Sequence, residues 1–156
     1  MPDSHLTADV SSVLRLGHAA MRDLVAALPA SALDWKPGQE TNSIAALVVH
    51  ALDAERHLTG VVADLALPRD REAAFRVEGL TGDELVTQID AAERDVDGHL
   101  ALVTGDRLAA TIERPSRTAT GAGWLVFVAA HSREHIGQAS LTRQLAEQAD
   151  VDRLIG

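Results

Sequence analysis

Apolar residues recur at helical spacing along most of the chain, and this pattern limits the folds that the sequence can adopt. Spacings of three and four residues place side chains on one face of a helix, and they occur in the segments 9–28, 43–67, 85–103 and 124–148. A short turn of helix and then a loop are predicted over 31–39. Strand-like residues occupy 110–113, so we predict a loop with a short hairpin before the last helix. The sequence therefore predicts an all-α fold, a four-helix bundle.

Capping and helix-breaking residues mark the ends of these helices. Thr7 is placed to cap the first helix, and Pro29 ends it. Pro68 ends the second helix. Thr81 and Glu84 form the T-x-x-E pattern of a capping box, which predicts the start of the third helix.

The length of the chain indicates how many domains it forms, and its charge indicates which partners it can bind. With 156 residues, 46% of them hydrophobic, the chain is long enough to bury a core, and we expect a single domain over residues 1–156. The formal net charge is -9 and the isoelectric point is near 5.1. Such a surface repels phosphate backbones and anionic lipid, so we expect neither nucleic acid nor a membrane as a partner.

The absence of cysteine limits the thiol chemistry that the chain can perform, and the absence of targeting signals bears on its cellular location. Without cysteine, disulfides, thiolate zinc sites and cysteine nucleophiles are excluded, and any thiol chemistry requires a thiol from outside the chain. The first five residues are acidic and polar rather than basic and then apolar, as a signal peptide would be. No apolar run approaches the roughly 20 residues of a membrane span. We therefore expect a cytoplasmic protein.

Three histidines are the candidate metal ligands. His131 and His135 are four residues apart, so they point the same way on adjacent turns of one helix and can share an ion. This spacing alone is weak evidence, since two polar residues near a helix end would show it too. The pair follows the apolar residues 128–130, however, and His50 supplies a third imidazole in the middle of the second helix. Three protein ligands leave coordination positions open, which favours catalysis over a structural site.

The segment 131–135 also has the letters H-x-x-E-H of inverted zinc proteases, in which a distant carboxylate completes the site. Only 21 residues follow His135, and their one glutamate is Glu147. Glu147 belongs to the same predicted helix, about 18 Å along its axis, and is out of reach of the metal. The protease interpretation is therefore rejected.

These histidines and their neighbours resemble the DinB-like (DinB/YfiT-like) family. The residues that carry the resemblance are Asn42-Ser43-Ile44, His50, His131, His135, Gly137-Gln138 and the loop 33–37. The likeness extends from the first helix to Arg143. It implies a four-helix bundle in which His50, His131 and His135 hold one divalent metal ion, often zinc or nickel. Several members of that family transfer or isomerise small substrates with a low-molecular-weight thiol such as mycothiol or bacillithiol.

The resemblance implies a metal-dependent thiol S-transferase, or a related hydrolase or isomerase, that acts on a small electrophilic substrate. Mycothiol is the first thiol to consider, because the arginine- and alanine-rich composition is typical of GC-rich coding sequences. The alternative is a non-catalytic metal-binding bundle that acts as a sensor or stress-response interaction protein. A third interpretation is an assembly module that binds no metal. We also expect a homodimer formed through an exposed apolar face.

Three further polar residues could support the site. Gln138 lies one turn after His135 and could hydrogen-bond a ligand histidine. His57 shares a face with His50 but lies about 10.5 Å along the axis, too far to ligate the same ion, so it is either a pocket residue or an ordinary half-exposed one. His18 could line the cavity, or it could face water beside Arg15 and Arg22.

Overall fold

Four long helices dominate the part of the chain that the structure describes. The computed structural model describes residues 2–149, with the side chains of residues 5–149; residue 1 and the last seven residues of the predicted domain lie outside it. The helices are α1 (Pro2–Val25), α2 (Ala30–Asp34), α3 (Ile44–Val62), α4 (Gly82–Leu102), α5 (Gly105–Ala109) and α6 (Gly121–Gln148). A 3₁₀ helix covers Arg71–Arg76, and the strands β1 (Thr111–Arg114) and β2 (Arg117–Thr120) lie between α5 and α6.

The long helices pack as a bundle, which confirms the predicted fold class. α3 packs against α4 and α6, and α1 packs against the same two helices, so α1 and α3 occupy opposite corners. The apolar stripes meet in the centre, where the largest fully buried side chains include Leu14, Met21, Ile44, Ile89 and Leu125. Within residues 2–149, no helix combines the length and the apolar content that a membrane crossing requires.

The helix ends follow the predicted capping chemistry at α4 and depart from it at α1 and α3. Thr81 and Glu84 form the predicted capping box of α4. Thr7 lies inside α1 rather than at its start, since that helix already begins at Pro2. α3 ends at Val62, before the predicted end at 67, because Asp64 adopts a left-handed backbone conformation with φ of 64°. The amide of Leu65 then donates to the carbonyl of Gly60 at 2.9 Å, which closes a Schellman motif.

The predicted hairpin forms and is attached to the start of α6. β1 and β2 are antiparallel, with Arg114 opposite Arg117 at the turn. The indole N–H of Trp124 donates to the carbonyl oxygen of Ile112 at 3.1 Å. The hairpin is therefore fixed at the end of the bundle where α6 begins.

A cluster of polar side chains connects the four long helices; we call His18, Glu55, Glu93 and Ser132 the buried charge cluster. Glu93 is its one half-buried member. The His18 ring nitrogens lie 2.6 Å from Glu55 Oε2 and 3.1 Å from Glu93 Oε2. Ser132 donates to Glu55 Oε1 at 2.5 Å. Glu55 is fully buried and His18 is 1% exposed, so His18 neither lines a cavity nor faces water.

The cluster favours the charged form of His18. Burial lowers the pKa of His18, but the hydrogen bonds and negative charges of Glu55 and Glu93 outweigh burial and raise the pKa above its ordinary value. Both ring nitrogens face carboxylates, and a protonated ring can donate to both. The imidazolium and the carboxylates compensate one another's charge inside the bundle.

We predict that His18→Ala strongly destabilises the fold. The substitution leaves Glu55 as a buried carboxylate without its imidazolium partner, and breaking a buried pair in this way costs about 3–5 kcal/mol. Urea unfolding followed by circular dichroism measures the loss. Arg15→Ala is the control on the same helix, since it removes an exposed pair with Asp97 and should have a much smaller effect. Equal losses in the two variants would contradict the prediction.

Candidate metal centre

The three predicted histidines meet where α3 packs against α6. His50 lies on α3, and His131 and His135 lie on adjacent turns of α6. One ring nitrogen from each histidine can be chosen so that all three lie within 4.8 Å of one another. The ring centroids are 4.4 to 5.3 Å apart. The helix packing thus brings together side chains that are about 80 residues apart in the sequence.

Two nitrogens of this group lack a hydrogen-bond partner despite being buried. Among the described residues, nothing bonds His50 Nδ1 or His135 Nε2. Gln138 Oε1 lies 2.8 Å from His135 Nδ1 and can only accept, so Nδ1 carries the proton and Nε2 keeps its lone pair. A buried polar atom without a partner is costly, and a bound cation would satisfy both nitrogens.

The separation of the nitrogens fits a metal ion after a small adjustment. Ligand bonds of about 2.0–2.1 Å in tetrahedral geometry place two nitrogens about 3.4 Å apart. The three nitrogens lie within 4.8 Å of one another, so they would have to move closer by about 1.4 Å at most. The residues present therefore fit a single divalent cation.

The electrostatics of the site favour the neutral imidazole at His50 and His131. Burial, the neighbouring His135 and His131, and the arginines Arg69 and Arg71 together lower the pKa of His50 to about 4, and burial is the largest cause. Burial is also the largest cause of the lowered pKa of His131, followed by the charge of His135. A neutral imidazole offers the lone pair that a metal requires.

Aromatic rings hold two of the histidines in place. Phe75, from the 3₁₀ helix, packs on His50 with ring centroids 4.7 Å apart. Phe127 stacks on His131 at 5.5 Å, with an angle of 18° between the ring planes. These contacts restrict the ring orientations before any ligand binds.

A cavity of about 410 Å³ opens beside His50 and His131. Its volume falls within the roughly 300–1,000 Å³ typical of small-molecule sites. Leu58, Trp124 and Phe127 supply apolar walls. The cavity gives a small molecule access to the histidine group.

Comparison with known proteins identifies the family of this chain and agrees with its helical fold. Residues 14–139 match the sequence model of the DinB superfamily. The chain belongs to the DinB superfamily. A conserved protein from Enterococcus faecalis has a similar crystal structure, with a TM-score of 0.75 and 18% identity over 89% of this chain and 95% of the other. A DinB-like protein from Bacillus subtilis has a TM-score of 0.69 and 16% identity over 89% of this chain and 92% of the other. At these identities the likeness establishes the fold alone, and no curated protein matches the sequence significantly.

Besides the three histidines, this DinB-superfamily site contains residues that the sequence suggested, such as His57, and several that it did not. His57 lines the cavity, and the guanidinium of Arg114 donates to its Nε2 at 2.9 Å. Burial lowers the pKa of His57, and Arg69 and Arg114 lower it further. Sequence patterns did not predict Phe75, Arg69, Arg71 or Arg114 as residues of this site. No periodic pattern connects the linker or the hairpin to the histidines, so the sequence offers little signal for them.

We predict that His50 stays neutral in the folded, chelator-treated protein until the pH falls to about 4. The unfolded chain takes up the proton first, because its histidine keeps the ordinary pKa of about 6.5. The stability contributed by neutral His50 is complete above about pH 6.5 and is lost as the pH falls toward 4. Ring-nitrogen chemical shifts measured by NMR check this, with the urea-unfolded chain as the reference. A His50 ring that titrates alike in both states would rule the prediction out.

Proposed function

We propose that His50, His131 and His135 bind one divalent metal ion, zinc or nickel, and that the protein is a metal-dependent thiol transferase or a related isomerase or hydrolase. The observation that carries the proposal is the convergence of three imidazoles, two with unpartnered buried nitrogens, beside an open cavity. Imidazole ligands suit zinc and nickel alike, so the ligand set does not choose between them.

The cavity supports catalysis over a purely structural or sensing role. A structural site closes its coordination shell with protein ligands, whereas a catalytic site leaves a position for water or substrate. Among the described residues, the group that satisfies metal-ligand geometry contains three histidines and no fourth ligand. The absence of cysteine from the chain means that any thiol nucleophile is a separate molecule.

The chain's own residues orient and enclose the site. Gln138 accepts from His135 Nδ1–H and so leaves the Nε2 lone pair available to a metal ion. Phe75 and Phe127 hold the rings of His50 and His131, and with Trp124 they reduce the exposure of the site to water. A divalent ion held there supplies Lewis acidity, which lowers the pKa of a coordinated thiol or water toward neutrality.

Metal analysis tests the first half of the proposal. We expect the untagged protein to hold near one equivalent of zinc or nickel per chain after reloading, and His50→Ala and His131→Ala to lose it, because two imidazoles bind far more weakly than three. Inductively coupled plasma mass spectrometry measures the metal. His57→Ala is the matched control on α3 and should retain the ion. If the reloaded wild-type protein holds no metal, the metal-dependent function is ruled out and the assembly module that binds no metal remains as the interpretation.

Thiol-dependent turnover tests the second half. The metal-loaded protein is incubated with mycothiol or bacillithiol and a small electrophile, and conjugate formation is followed by liquid chromatography. We expect turnover that disappears with chelation and in His131→Ala. One bound metal without turnover by any thiol would favour the non-catalytic sensor or stress-response bundle.

We predict that Gln138→Ala weakens metal binding about 10–100-fold, the usual effect of removing a hydrogen bond that orients a ligand histidine. The hydrogen bond removed is that between His135 Nδ1 and Gln138 Oε1. Competition against a fluorescent chelator measures the affinity. Gln144→Ala, an exposed glutamine on the same helix, is the control. An unchanged affinity in Gln138→Ala would show that the bond does not contribute.

A further inference from the structure

The cavity beside the histidines is strongly basic although the chain is acidic. The formal net charge is -9, yet Arg69, Arg71 and Arg114 all line this cavity. Of the described residues that form its lining, none is an aspartate or glutamate. The local charge is therefore opposite in sign to that of the whole molecule.

Two of these arginines lack a carboxylate partner. Arg69 pairs with Asp53 at 2.7 Å. Within residues 5–149, no acidic side chain pairs with Arg71 or Arg114, and Arg114 contacts the neutral acceptor Nε2 of His57 instead. Some arginines elsewhere in the bundle do have acidic partners: Arg22 pairs with Asp90, Arg107 with Asp64 and Arg143 with Glu147.

The two guanidinium groups without a carboxylate partner come from separate segments. Arg71 begins the 3₁₀ helix, and Arg114 ends β1, next to Pro115 and Ser116 of the hairpin turn. The hairpin is tied to α6 by the Trp124 hydrogen bond, and the 3₁₀ helix packs on α3. Guanidinium groups form paired hydrogen bonds to carboxylate and phosphate oxygens. Two such groups at one cavity, without internal counterions, suit an anionic ligand.

The remaining walls are apolar and aromatic. Leu58, Trp124 and Phe127 line the same cavity as the arginines and His131. Arg117 lies 5.0 Å above the Phe127 ring, which adds a further positive charge near this wall. A ligand that matches both surfaces has an oxyanion at one end and an apolar or aromatic body.

We propose that this cavity binds the carboxylate or phosphate group of a small organic anion through Arg71 and Arg114, with the apolar part of that molecule against Trp124 and Phe127. The proposal rests on the proposed function, because it names the substrate class of the same site. It adds that the substrate of the metal centre is an organic acid or phosphate ester rather than a neutral electrophile.

The test uses benzoate, phenyl phosphate and the uncharged analogue benzamide as probes. Binding of each to the full-length protein, metal-loaded and chelator-treated, is followed by NMR chemical-shift titration. We expect at least one of the two anions to bind to both forms about tenfold or more tightly than benzamide. Arg71→Gln and Arg114→Gln should each weaken that binding about tenfold. Arg76→Gln is the matched control on the same 3₁₀ helix, since Arg76 pairs with Asp70 and lies outside the cavity lining.

The outcomes separate this proposal from the metal centre. A preference for benzoate identifies a carboxylate ligand, and a preference for phenyl phosphate identifies a phosphate ester; either supports the proposal. Anion binding that survives in Arg71→Gln and Arg114→Gln, or that occurs only with metal bound, overturns it, because the anion then binds at the ion alone. Metal content is measured on the same samples. If the wild-type protein holds no metal, the proposed function is wrong. The titration of the chelator-treated protein still decides whether the arginines bind the anions.

Discussion

The four long helices are held in register by a buried imidazolium and its carboxylate partners. His18 on α1 contacts Glu55 on α3 and Glu93 on α4, and Ser132 on α6 donates to Glu55. Apolar contacts tolerate sliding and repacking, but a buried charge separated from its partner costs several kcal/mol. Rotation of any of these helices about its axis would break at least one of these contacts. The buried charge cluster therefore specifies one arrangement of the bundle.

The same register places the histidines of the candidate metal centre. Ser132 follows His131 directly, and Glu55 lies five residues after His50 on α3. When Ser132 donates to Glu55 at 2.5 Å, α3 and α6 are fixed in rotation and in height relative to each other. His50 and His131 then face the same space, with His135 one turn further along. The site thus inherits its geometry from a polar contact next to it in the core.

Local sequence signals predicted the elements but not their long-range partners. Helical periodicity located the four long helices, and the Thr81–Glu84 pair located the start of α4, because these depend on residues within one or two turns. The early end of α3 was not predicted, because the apolar pattern continues to residue 67. The helix ends earlier because of the left-handed backbone conformation of Asp64. The three histidines were found by spacing and resemblance. Tertiary packing brings His18 to Glu55 and places Arg71 and Arg114 at the cavity. These contacts join residues far apart in the chain, so local sequence patterns do not predict them.

The net charge of the chain says little about the charge of its cavity. Exposed charges are screened beyond a Debye length of about 8–10 Å, so distant surface carboxylates act weakly on the histidines. Near His131, the charge of Glu134 raises the pKa, whereas Arg69 and Arg71 lower it. After burial and the neighbouring imidazoles, Arg69 and Arg71 further lower the pKa of His50, which reports a field that opposes positive charge. That field also opposes a divalent cation. An anion held by Arg71 and Arg114 would offset it, so under the two proposals the cation and the anion stabilise each other, and by linkage each raises the affinity for the other by the same factor.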